Sequence, residues 1–394
     1  MTAKKASLAS GYDVRVARTV EELEELRPAW LELQGTRVTS DPDYYRTLLD
    51  SEPHIIRPHV VLLEKDGAPW GMVIGRIEER TIACRIGYKQ VYAPRVRSLT
   101  VSYGGFLGPA PKEDAVVVVE QLRDALARRE ADVVYALHVR LDSPVHAAAA
   151  KGSILTRQHA LQPEVHWRLD LPGSFEDFLA SKSGRSRGRI RRYGKRLRDT
   201  YGDDFAIKVF RTPDEIDLVF RDAEAVSTKT YQHGLGVGFK DDPLQRNLVG
   251  LSLERGWFRG YVLYLEGAPR AFWFGTVYNG TFHTGPTGFD PAYGDYHPGT
   301  FLLVRMIQDM CDDDAVDVID YGFGDAEYKQ TFGSKNWLEH DVLIFAPSPR
   351  AVRVNAVRTA VLGADALTRR ILGRRNLVSR LKRRWRNRLA SDER

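Results

Sequence analysis

The polar residues best suited to chemistry gather in one stretch near the end of the sequence. It runs Asp-Tyr-Gly-Phe-Gly-Asp-Ala-Glu-Tyr-Lys-Gln-Thr-Phe-Gly from Asp320 to Gly333. The stretch overlaps a short apolar segment, 316–323, which predicts a buried strand. Open α/β sheets usually keep their ligands at the carboxyl ends of their strands, so we expect a site here. Carboxylates, phenols and amines are also the groups that transfer protons in enzymes.

A second signal is the sequence Tyr-His-Pro-Gly-Thr, which precedes an amphipathic helical pattern. Pro298 suits a first helical turn, because its missing N–H would be unsatisfied there anyway. Gly299 lets a ligand approach the backbone, and the free N–H groups of a helix start favour a phosphate. With a strand predicted at 281–289, this layout suits a pyrophosphate-bearing cofactor, although a plain helix start is the alternative. The predicted cofactor-binding residues are His297, Pro298, Gly299, Thr300 and Phe301.

The elements that must position these residues occur twice, as a weak internal repeat. Each copy has a helix start with a capping box, a hairpin around Gly-Ala-Pro and a short apolar strand after a helix. Three matches in the same order predict two copies of one β–α–β–β–(β)–α–β unit, with a boundary near residues 160–175. The predicted fold class is therefore α/β (α+β). The matched segments begin at Arg18 and Arg211, at Glu64 and Tyr264, and at Ala131 and Val316.

Composition excludes several kinds of site. Among the 394 residues are two cysteines, Cys84 and Cys311, and neither lies in a Cys-x-x-Cys pair. We therefore expect no disulfide framework and no cysteine-rich zinc site. No metal-ligand spacing or nucleophile elbow occurs, so we predict neither a metal cofactor nor covalent catalysis. No run approaches the roughly 20 apolar residues of a membrane span, and a cytoplasmic location is expected.

The net charge of +6 is unevenly distributed. Residues 182–198 include nine Lys and Arg and no acid, in a predicted helix that three glycines weaken. Its arginines, with Arg187 and Arg191 as first candidates, could bind phosphates of a donor or acceptor. The basic tail after 350 has apolar residues at roughly helical spacing, which is typical of contact with an anionic membrane. Solvated or acid-paired faces are the alternatives, and no nucleic-acid-binding pattern accompanies the charge.

Several motifs together resemble a known family. The Gly-Ala-Pro hairpin, His-Pro-Gly-Thr, Asp-Tyr-Gly-x-Gly-Asp and Tyr-Lys-x-x-Phe-Gly resemble, in that order, the cellulose-biosynthesis-type (CelD/BcsL-like) branch of the GNAT acetyltransferases. The last motif is also similar to that of the Fem-type aminoacyl transferases, which share a tandem GNAT fold. The basic run matches the arginine-rich helix that opens the catalytic domain in this branch. The likeness covers roughly 165–345 well, and one glycine, Gly299, stands where the GNAT phosphate loop usually has two.

The resemblance implies two tandem GNAT-like domains with mixed sheets flanked by helices. We predict a degenerate first domain at 1–165, a catalytic domain at 166–348 and a basic helical tail at 349–394. The implied activity is N- or O-acyl transfer from an acyl-CoA, with acetyl-CoA the first candidate, in cell-surface polysaccharide or envelope biosynthesis. The acceptor would be an amine or a hydroxyl, and it could be sugar-linked or lipid-linked. A peripheral location at the inner face of the membrane is also left open. Two alternatives are a Fem-like transferase that uses aminoacyl-tRNA and a non-catalytic binding module.

The resemblance also implies direct transfer of the acyl group within a ternary complex. Strands 281–289 and 316–323 would separate and leave N–H groups to polarise the thioester carbonyl, at about 3–4 kcal/mol per donor. The candidate base is Asp320, Asp325 or His283, the candidate acid for the thiolate is Tyr328, and Lys329 would stabilise negative charge. The candidate acceptor contacts are Lys229, Tyr231 and His233, beside a glycine-rich loop.

Each of these residues has a structural interpretation that the sequence leaves open. Asp320 could cap the loop after its strand, and His283 could make a structural hydrogen bond. Tyr328 could pack in a core, and Lys329 could be a solvated surface residue. The segment around Lys229 could be only a mobile loop that ends a helix.

Overall fold

The computed structural model describes residues 6–7, 11–87, 89–108, 112–230 and 238–373. Thirteen strands form one continuous mixed sheet, and two short strands form a separate hairpin. The strands are β1 (Ala6–Ser7), β2 (Tyr12–Ala17), β3 (Ile55–Lys65), β4 (Ala68–Thr81), β5 (Cys84–Ile86), β6 (Lys89–Tyr92), β7 (Arg95–Leu107), β8 (Val133–Arg140), β9 (Glu164–Asp170), β10 (Phe205–Phe210), β11 (Phe258–Leu265), β12 (Ala268–Tyr278), β13 (Thr281–Phe289), β14 (Val318–Phe323) and β15 (Lys335–Phe345).

Helices cover both faces of the sheet. They are α1 (Val20–Glu32), α2 (Pro42–Ser51), α3 (Lys112–Ala127), α4 (Pro144–Ala149), α5 (Phe175–Ala180), α6 (Gly184–Tyr201), α7 (Ile216–Ser227), α8 (Pro243–Glu254), α9 (Pro298–Cys311), α10 (Glu327–Phe332) and α11 (Pro349–Gly373). We call the side covered by α1, α2, α7 and α8 the α1 face. The opposite side, covered by the other helices, is the α9 face.

The predicted internal repeat is present in the structure. Strands β3 and β4 form a hairpin, and β11 and β12 form its counterpart, each with a turn whose two central residues have positive φ. Those residues are Asp66-Gly67 and Glu266-Gly267, as the right-handed twist of a two-residue hairpin turn requires. Both predicted capping boxes form, at Thr19 and at Thr212.

The two halves of the sheet are joined by an exchange of strands. The order is β1-β2-β3-β4-β7-β8-β15-β9-β14-β13-β12-β11-β10. Strand β15 follows the second repeat in the chain but pairs with β8 of the first, and β9 follows the first repeat but pairs with β14 of the second. The sequence predicts a sheet for each domain, whereas β15 and β9 also pair with each other and unite them. The boundaries at 165 and 348 stay predictions.

The C-terminal basic region begins as predicted with a helix, α11, which packs against the β5–β6 hairpin. The structure describes this helix to Gly373, so the arginine-rich remainder at 374–394 lies outside the described residues. Among the described residues, no helix is both long enough and apolar enough to cross a membrane.

Candidate active site

The site centres on the place where two parallel strands separate. Strands β13 and β14 pair through three residue pairs, and the last is His283 with Asp320. Beyond this pair the register of β13 against β12 shifts between Trp273 and Gly275, which marks a bulge. The strands therefore part after His283 and Asp320, as the sequence predicts. Since successive side chains point to opposite faces, Asp320 lies on the α1 face and Tyr321 packs in the core of the α9 face.

On the α9 face, a cleft lies between α6, the start of α9 and α10. Its volume is about 320 Å³, and its lining includes Arg189, Tyr193, His297, Thr300 and Tyr328. His297 caps α9 in the left-handed conformation, with φ 52° and ψ 48°. A helix start leaves its first backbone N–H groups without intrahelical partners, and the cleft beside the start of α9 also has a guanidinium, so the arrangement suits a phosphate.

A larger cavity of about 560 Å³ continues along α6. Its lining includes three arginines that are about one helical turn apart, Arg189, Arg192 and Arg196. Lys195 also lines it. Neither predicted arginine contributes to this lining. The side chain of Arg187 donates to the carbonyl oxygens of Lys182 and Ala180, and Arg191 is exposed, so their roles as substrate contacts stay predictions.

The other predicted cofactor residues shape the start of α9 by packing. Pro298 is buried, and the carbonyl oxygen of Gly299 accepts a hydrogen bond from the Trp273 indole at 3.2 Å. A Cβ added at Gly299 would lie 3.3 Å from the Phe289 ring, so a larger residue there would disturb the turn. Phe301 is a core residue, which leaves His297 and Thr300 as the two of the set whose side chains line the cleft.

Tyr328 and Lys329 are neighbours in sequence with different surroundings. The Tyr328 ring packs edge-on against Trp273 and lines the cleft, and burial raises the pKa of its hydroxyl to about 12. Tyr328 is therefore protonated at neutral pH and able to donate. Lys329 is buried, and its Nζ donates to the carbonyl oxygen of Phe323 at 2.5 Å. It is neither solvated nor directed at the cleft, and it fixes the loop after β14.

On the α1 face, Asp320 belongs to a buried charge network that joins the two halves. It accepts from Arg37 Nη2 at 2.6 Å, from His166 Nε2 at 2.9 Å and from the backbone N–H of Gly322 at 2.8 Å. Nδ1 of His166 in turn lies 3.2 Å from a carboxylate oxygen of Glu339. Two carboxylates are thereby matched with a guanidinium and an imidazole, a balance that buried charges require.

The network fixes the charge states of its members. Burial alone would raise the pKa of Asp320, but His166 and Arg37 outweigh it and hold that pKa well below the ordinary value. Burial alone would lower the pKa of His166, but the carboxylates of Asp320 and Glu339 outweigh it and raise the pKa. Asp320 is thus a fully engaged carboxylate, which makes it an anchor rather than a free base.

His283 offers the free lone pair of the site. Its Nε2 lies 2.7 Å from the Thr36 carbonyl oxygen, which can only accept, so Nε2 carries a hydrogen. Burial and then the Arg37 charge lower the pKa of this imidazole to about 4. The ring is therefore neutral at pH 7, and its buried Nδ1 is an acceptor that has no hydrogen-bond partner within the described residues. That atom lies 3.9 Å from Asp320 Oδ2.

The remaining predicted residues lie away from this centre. Asp325 is exposed and accepts from the Trp167 indole and the Gln330 amide, which makes it a loop contact. Lys229 forms an ion pair with Asp290 at 3.0 Å, tying the end of α7 to the end of β13. Tyr231 and His233 lie outside the described residues. Within the described part of the chain, no cluster of His, Cys, Asp and Glu side chains is arranged to hold a metal ion.

Sequence reasoning missed four members of the network: Arg37, Tyr103, His166 and Glu339. They come from separate elements, which the strand exchange brings together. One signal was available for Glu339, which lies with two other polar residues between the apolar segments 337–338 and 342–345, because a carboxylate within a buried strand needs a partner. No local pattern marks the other three.

Comparison with known proteins agrees with this geometry. Residues 184–330 match the acetyltransferase (GNAT) domain family. The match runs from α6 into α10 and so contains most of the cleft lining, the separated strands and Tyr328. A GNAT domain implies an acyl-CoA co-substrate. No curated protein matches the sequence significantly.

Solved structures resemble the chain over most of its length. FemX aligns with 84% of this chain and 98% of its own, with a TM-score of 0.57 at 10% identity. A conserved protein of unknown function from Bacteroides thetaiotaomicron VPI-5482 aligns with 84% of this chain and 99% of its own, with a TM-score of 0.53 at 14% identity. At such identities the likeness shows the fold alone. The predicted mixed α/β fold, with a large sheet flanked by helices, is thus confirmed, and the family match places a GNAT domain at 184–330.

Proposed function

We propose that the protein transfers an acyl group from an acyl-CoA directly to an amine or hydroxyl acceptor. The observation that supports this best is the gap between β13 and β14, which has a proton donor on one side and a proton acceptor on the other. Tyr328 lies on the α9 face and is protonated, whereas Nδ1 of His283 lies on the α1 face and is unprotonated. A thioester in the gap would meet a proton donor on one side and a proton acceptor on the other.

The donor would bind along the α9 face. The pyrophosphate would lie at the first turn of α9, beside Arg189 and Arg192, and the pantetheine arm would run through the cleft toward the gap. Arginine forks suit phosphate oxygens, and the N–H groups of the helix start add to them. The two cavities share Arg189, Tyr193 and His297, so one extended ligand can occupy both.

The proposed step exchanges one bond and two protons. The acceptor nitrogen or oxygen attacks the thioester carbon while its proton passes to Nδ1 of His283. The carbon–sulfur bond then breaks, and the thiolate takes the proton of the Tyr328 hydroxyl to leave as the free thiol. The His283 imidazolium then releases its proton to solvent and the Tyr328 phenolate takes one from solvent, which restores the starting protonation state. The imidazolium that forms on His283 would be stabilised by Asp320, 3.9 Å away. Backbone N–H groups of β13 beyond His283, where the pairing with β14 has ended, would polarise the carbonyl oxygen.

The biological setting is proposed on the sequence resemblance. The motifs shared with the cellulose-biosynthesis-type branch favour an acceptor in cell-surface polysaccharide or envelope metabolism, and acetyl-CoA as the donor. A basic tail after α11 would suit an enzyme held at an anionic membrane face. These proposals concern the acceptor and the location, and the donor chemistry above does not depend on them.

Isothermal titration of the purified full chain with acetyl-CoA, longer acyl-CoAs and free coenzyme A tests the proposal. We expect saturable binding that Arg192→Glu or Thr300→Trp weakens at least tenfold, or by about 1.4 kcal/mol or more. Arg191→Glu is the matched comparison, because Arg191 lies next to Arg192 on the same helix but does not line the cavity. An equal loss in both arginine variants would mean that net charge, not the cleft, holds the donor.

Absence of binding to every thioester would contradict the proposal. The same protein would then be titrated with an aminoacyl-tRNA, since the sequence motifs also resemble those of Fem-type transferases. If neither donor binds and the Tyr328→Phe and His283→Gln variants match the native protein in every assay, a non-catalytic module is the remaining interpretation.

A further inference from the structure

We propose that the segment Gln34–Arg37 of the first half positions the proton-accepting group of the second half, so that the site is complete only when the two halves are joined. The proposal rests on the function proposed above and adds Arg37 to it as a positioning residue. It assigns the first half a part in the reaction, where the sequence suggested a degenerate module.

Successive residues of the segment contact the turn between β12 and β13, then β13, then β14. The Gly35 carbonyl oxygen accepts from Asn279 Nδ2 at 2.8 Å, and the Thr36 carbonyl oxygen accepts from His283 Nε2 at 2.7 Å. Arg37 Nη2 donates to Asp320 Oδ2 at 2.6 Å. Because a carbonyl accepts but never donates, Thr36 selects the His283 tautomer that leaves Nδ1 free.

The first half holds this segment rigidly. The Arg37 guanidinium stacks on the Tyr103 ring at 3.7 Å, and its stem crosses Gly104, where a Cβ would lie 2.7 Å from Arg37 Cδ. The hydroxyl of Thr39 donates to the Tyr103 carbonyl oxygen at 2.6 Å. A second tie runs from the Trp30 indole to the Ser40 carbonyl oxygen at 2.7 Å. Held at Arg37 and just beyond it, the segment presents the Thr36 carbonyl oxygen to the His283 ring.

The charge of Arg37 also keeps His283 neutral. Three titratable or charged groups face the imidazole: Arg37, Asp320 on β14 and His166 on β9. Glu339 and Tyr103 contact His166 and so affect His283 only indirectly. Arg37 and His166 lower the pKa of His283, and Asp320 raises it. Without the Arg37 charge, the Asp320 carboxylate stabilises the imidazolium form of His283 more strongly. The pKa of His283 should therefore rise.

Histidine-labelled full-length protein, titrated by NMR, tests the positioning without any substrate. The signal of His283 is assigned from His283→Gln, and the native protein should show the Nε2–H tautomer with a pKa of about 4. In Arg37→Gln that pKa should rise and the tautomer preference should weaken. In Arg37→Lys the charge remains, so the pKa should stay close to the native value. An Arg37→Gln protein with the native tautomer and pKa would overturn the proposal.

Two further variants distinguish a loss of His283 positioning from a general loss of protein stability. Arg27→Gln removes another first-half guanidinium, one that pairs with Asp43 at 2.6 Å, and should leave the His283 signal unchanged. If Arg37→Gln does not fold, Gly104→Ala serves instead, because it displaces the Arg37 stem and retains every charge. Its expected effect is a weaker tautomer preference, and a native spectrum would contradict the proposal.

Activity separates this inference from the function on which it rests. Acetyl-CoA binding should be equal in native and Arg37→Gln proteins, because the cofactor cleft lies on the other face of the sheet. Release of free thiol from acetyl-CoA, measured with a panel of amine and hydroxyl acceptors, should fall about 100-fold in kcat through misplacement of the base. If the native protein binds no thioester, the proposed function fails while the NMR result stands. Native kcat in Arg37→Gln, with acetyl-CoA bound, would refute the positioning alone.

Discussion

At the scale of single residues, the site separates groups that hold charge from groups that move protons. Asp320 and His166 pair with charged partners on the α1 face, whereas Tyr328 and His283 are neutral at pH 7, and Nδ1 of His283 has no hydrogen-bond partner within the described residues. Burial produces both outcomes, because it disfavours charge wherever no partner compensates it. The residues proposed to transfer protons are therefore those that burial leaves neutral.

The ion pairs of Asp320 predict an acid-sensitive contribution to stability. Its pKa is depressed in the folded state, so its stabilisation is fully present above its ordinary pKa of about 3.9 and lost as pH falls further. Asp320→Asn should lower the free energy of unfolding at pH 7 by about 3–5 kcal/mol, since it leaves buried cations unpaired. Urea unfolding should show this difference narrow below about pH 4. Asp325→Asn, at an exposed site, should cost less than about 1 kcal/mol.

Tyr328 predicts a loss in rate without a loss in donor binding. Tyr328→Phe removes the proton donor for the thiolate and keeps the ring that packs on Trp273. We expect kcat to fall about 100-fold or more and the dissociation constant of acetyl-CoA to change little. The comparison variant is Tyr321→Phe, which removes a buried hydroxyl that lacks a partner among the described residues. Equal rates for native and Tyr328→Phe proteins would remove Tyr328 from the mechanism.

At the scale of elements, the basic helix α6 owes its position to a glycine. Gly194 is buried against Phe301 of α9, and a Cβ there would lie 3.1 Å from the Phe301 ring. The close approach of the two helices places Arg189 and Tyr193 beside the start of α9. Gly188, on the same helix, has no atom of the described residues within 4 Å of the position where a Cβ would lie. These two glycines of α6 therefore have different roles, because Gly194 permits the close packing on α9 and Gly188 does not take part in it.

This contrast gives a matched pair of substitutions. Gly188→Ala should raise the free energy of unfolding by about 0.5–1 kcal/mol, because alanine favours a helix interior. Gly194→Val should lower it and weaken acetyl-CoA binding, because the added atoms push α6 from α9. Thermal unfolding and calorimetric titration of both variants provide the measurement. Equal effects at the two positions would show that helix packing does not define the cleft.

At the scale of the whole molecule, the exchanged strands make one structure of two repeats. Strand β15 supplies Glu339 to the network and pairs with β8, and β9 supplies His166 and pairs with β14. Neither half can close its own sheet with strands adjacent in the chain. Unfolding should therefore be cooperative across the two repeats.

Co-expression of two fragments tests this linkage. A tagged fragment 1–160 should co-purify with 161–394, because β15 completes the sheet of the first half by pairing with β8. A shortened partner, 161–333, lacks β15 and should not co-purify. Independent folding of fragment 1–160, without association with either partner, would contradict the expected dependence between halves.

The sequence by itself determined much of the local structure and predicted the region of the proposed donor site. Capping boxes, Gly-Ala-Pro hairpins and the helix start at Pro298 were readable because each depends on residues within a few positions of one another. Periodicity likewise located the strands that separate at His283 and Asp320.

Only the tertiary structure decided which candidates are free to act. It engaged Asp320 and Lys329 in buried contacts, left Nδ1 of His283 without a partner in the described residues, and brought Arg37 from nearly 250 positions away to His283. Hydrogen bonding and burial set the charge of each group, and both depend on residues distant in the chain. The exchange of β9 and β15 is equally non-local, because strand pairing across repeats leaves no periodic signal in either strand.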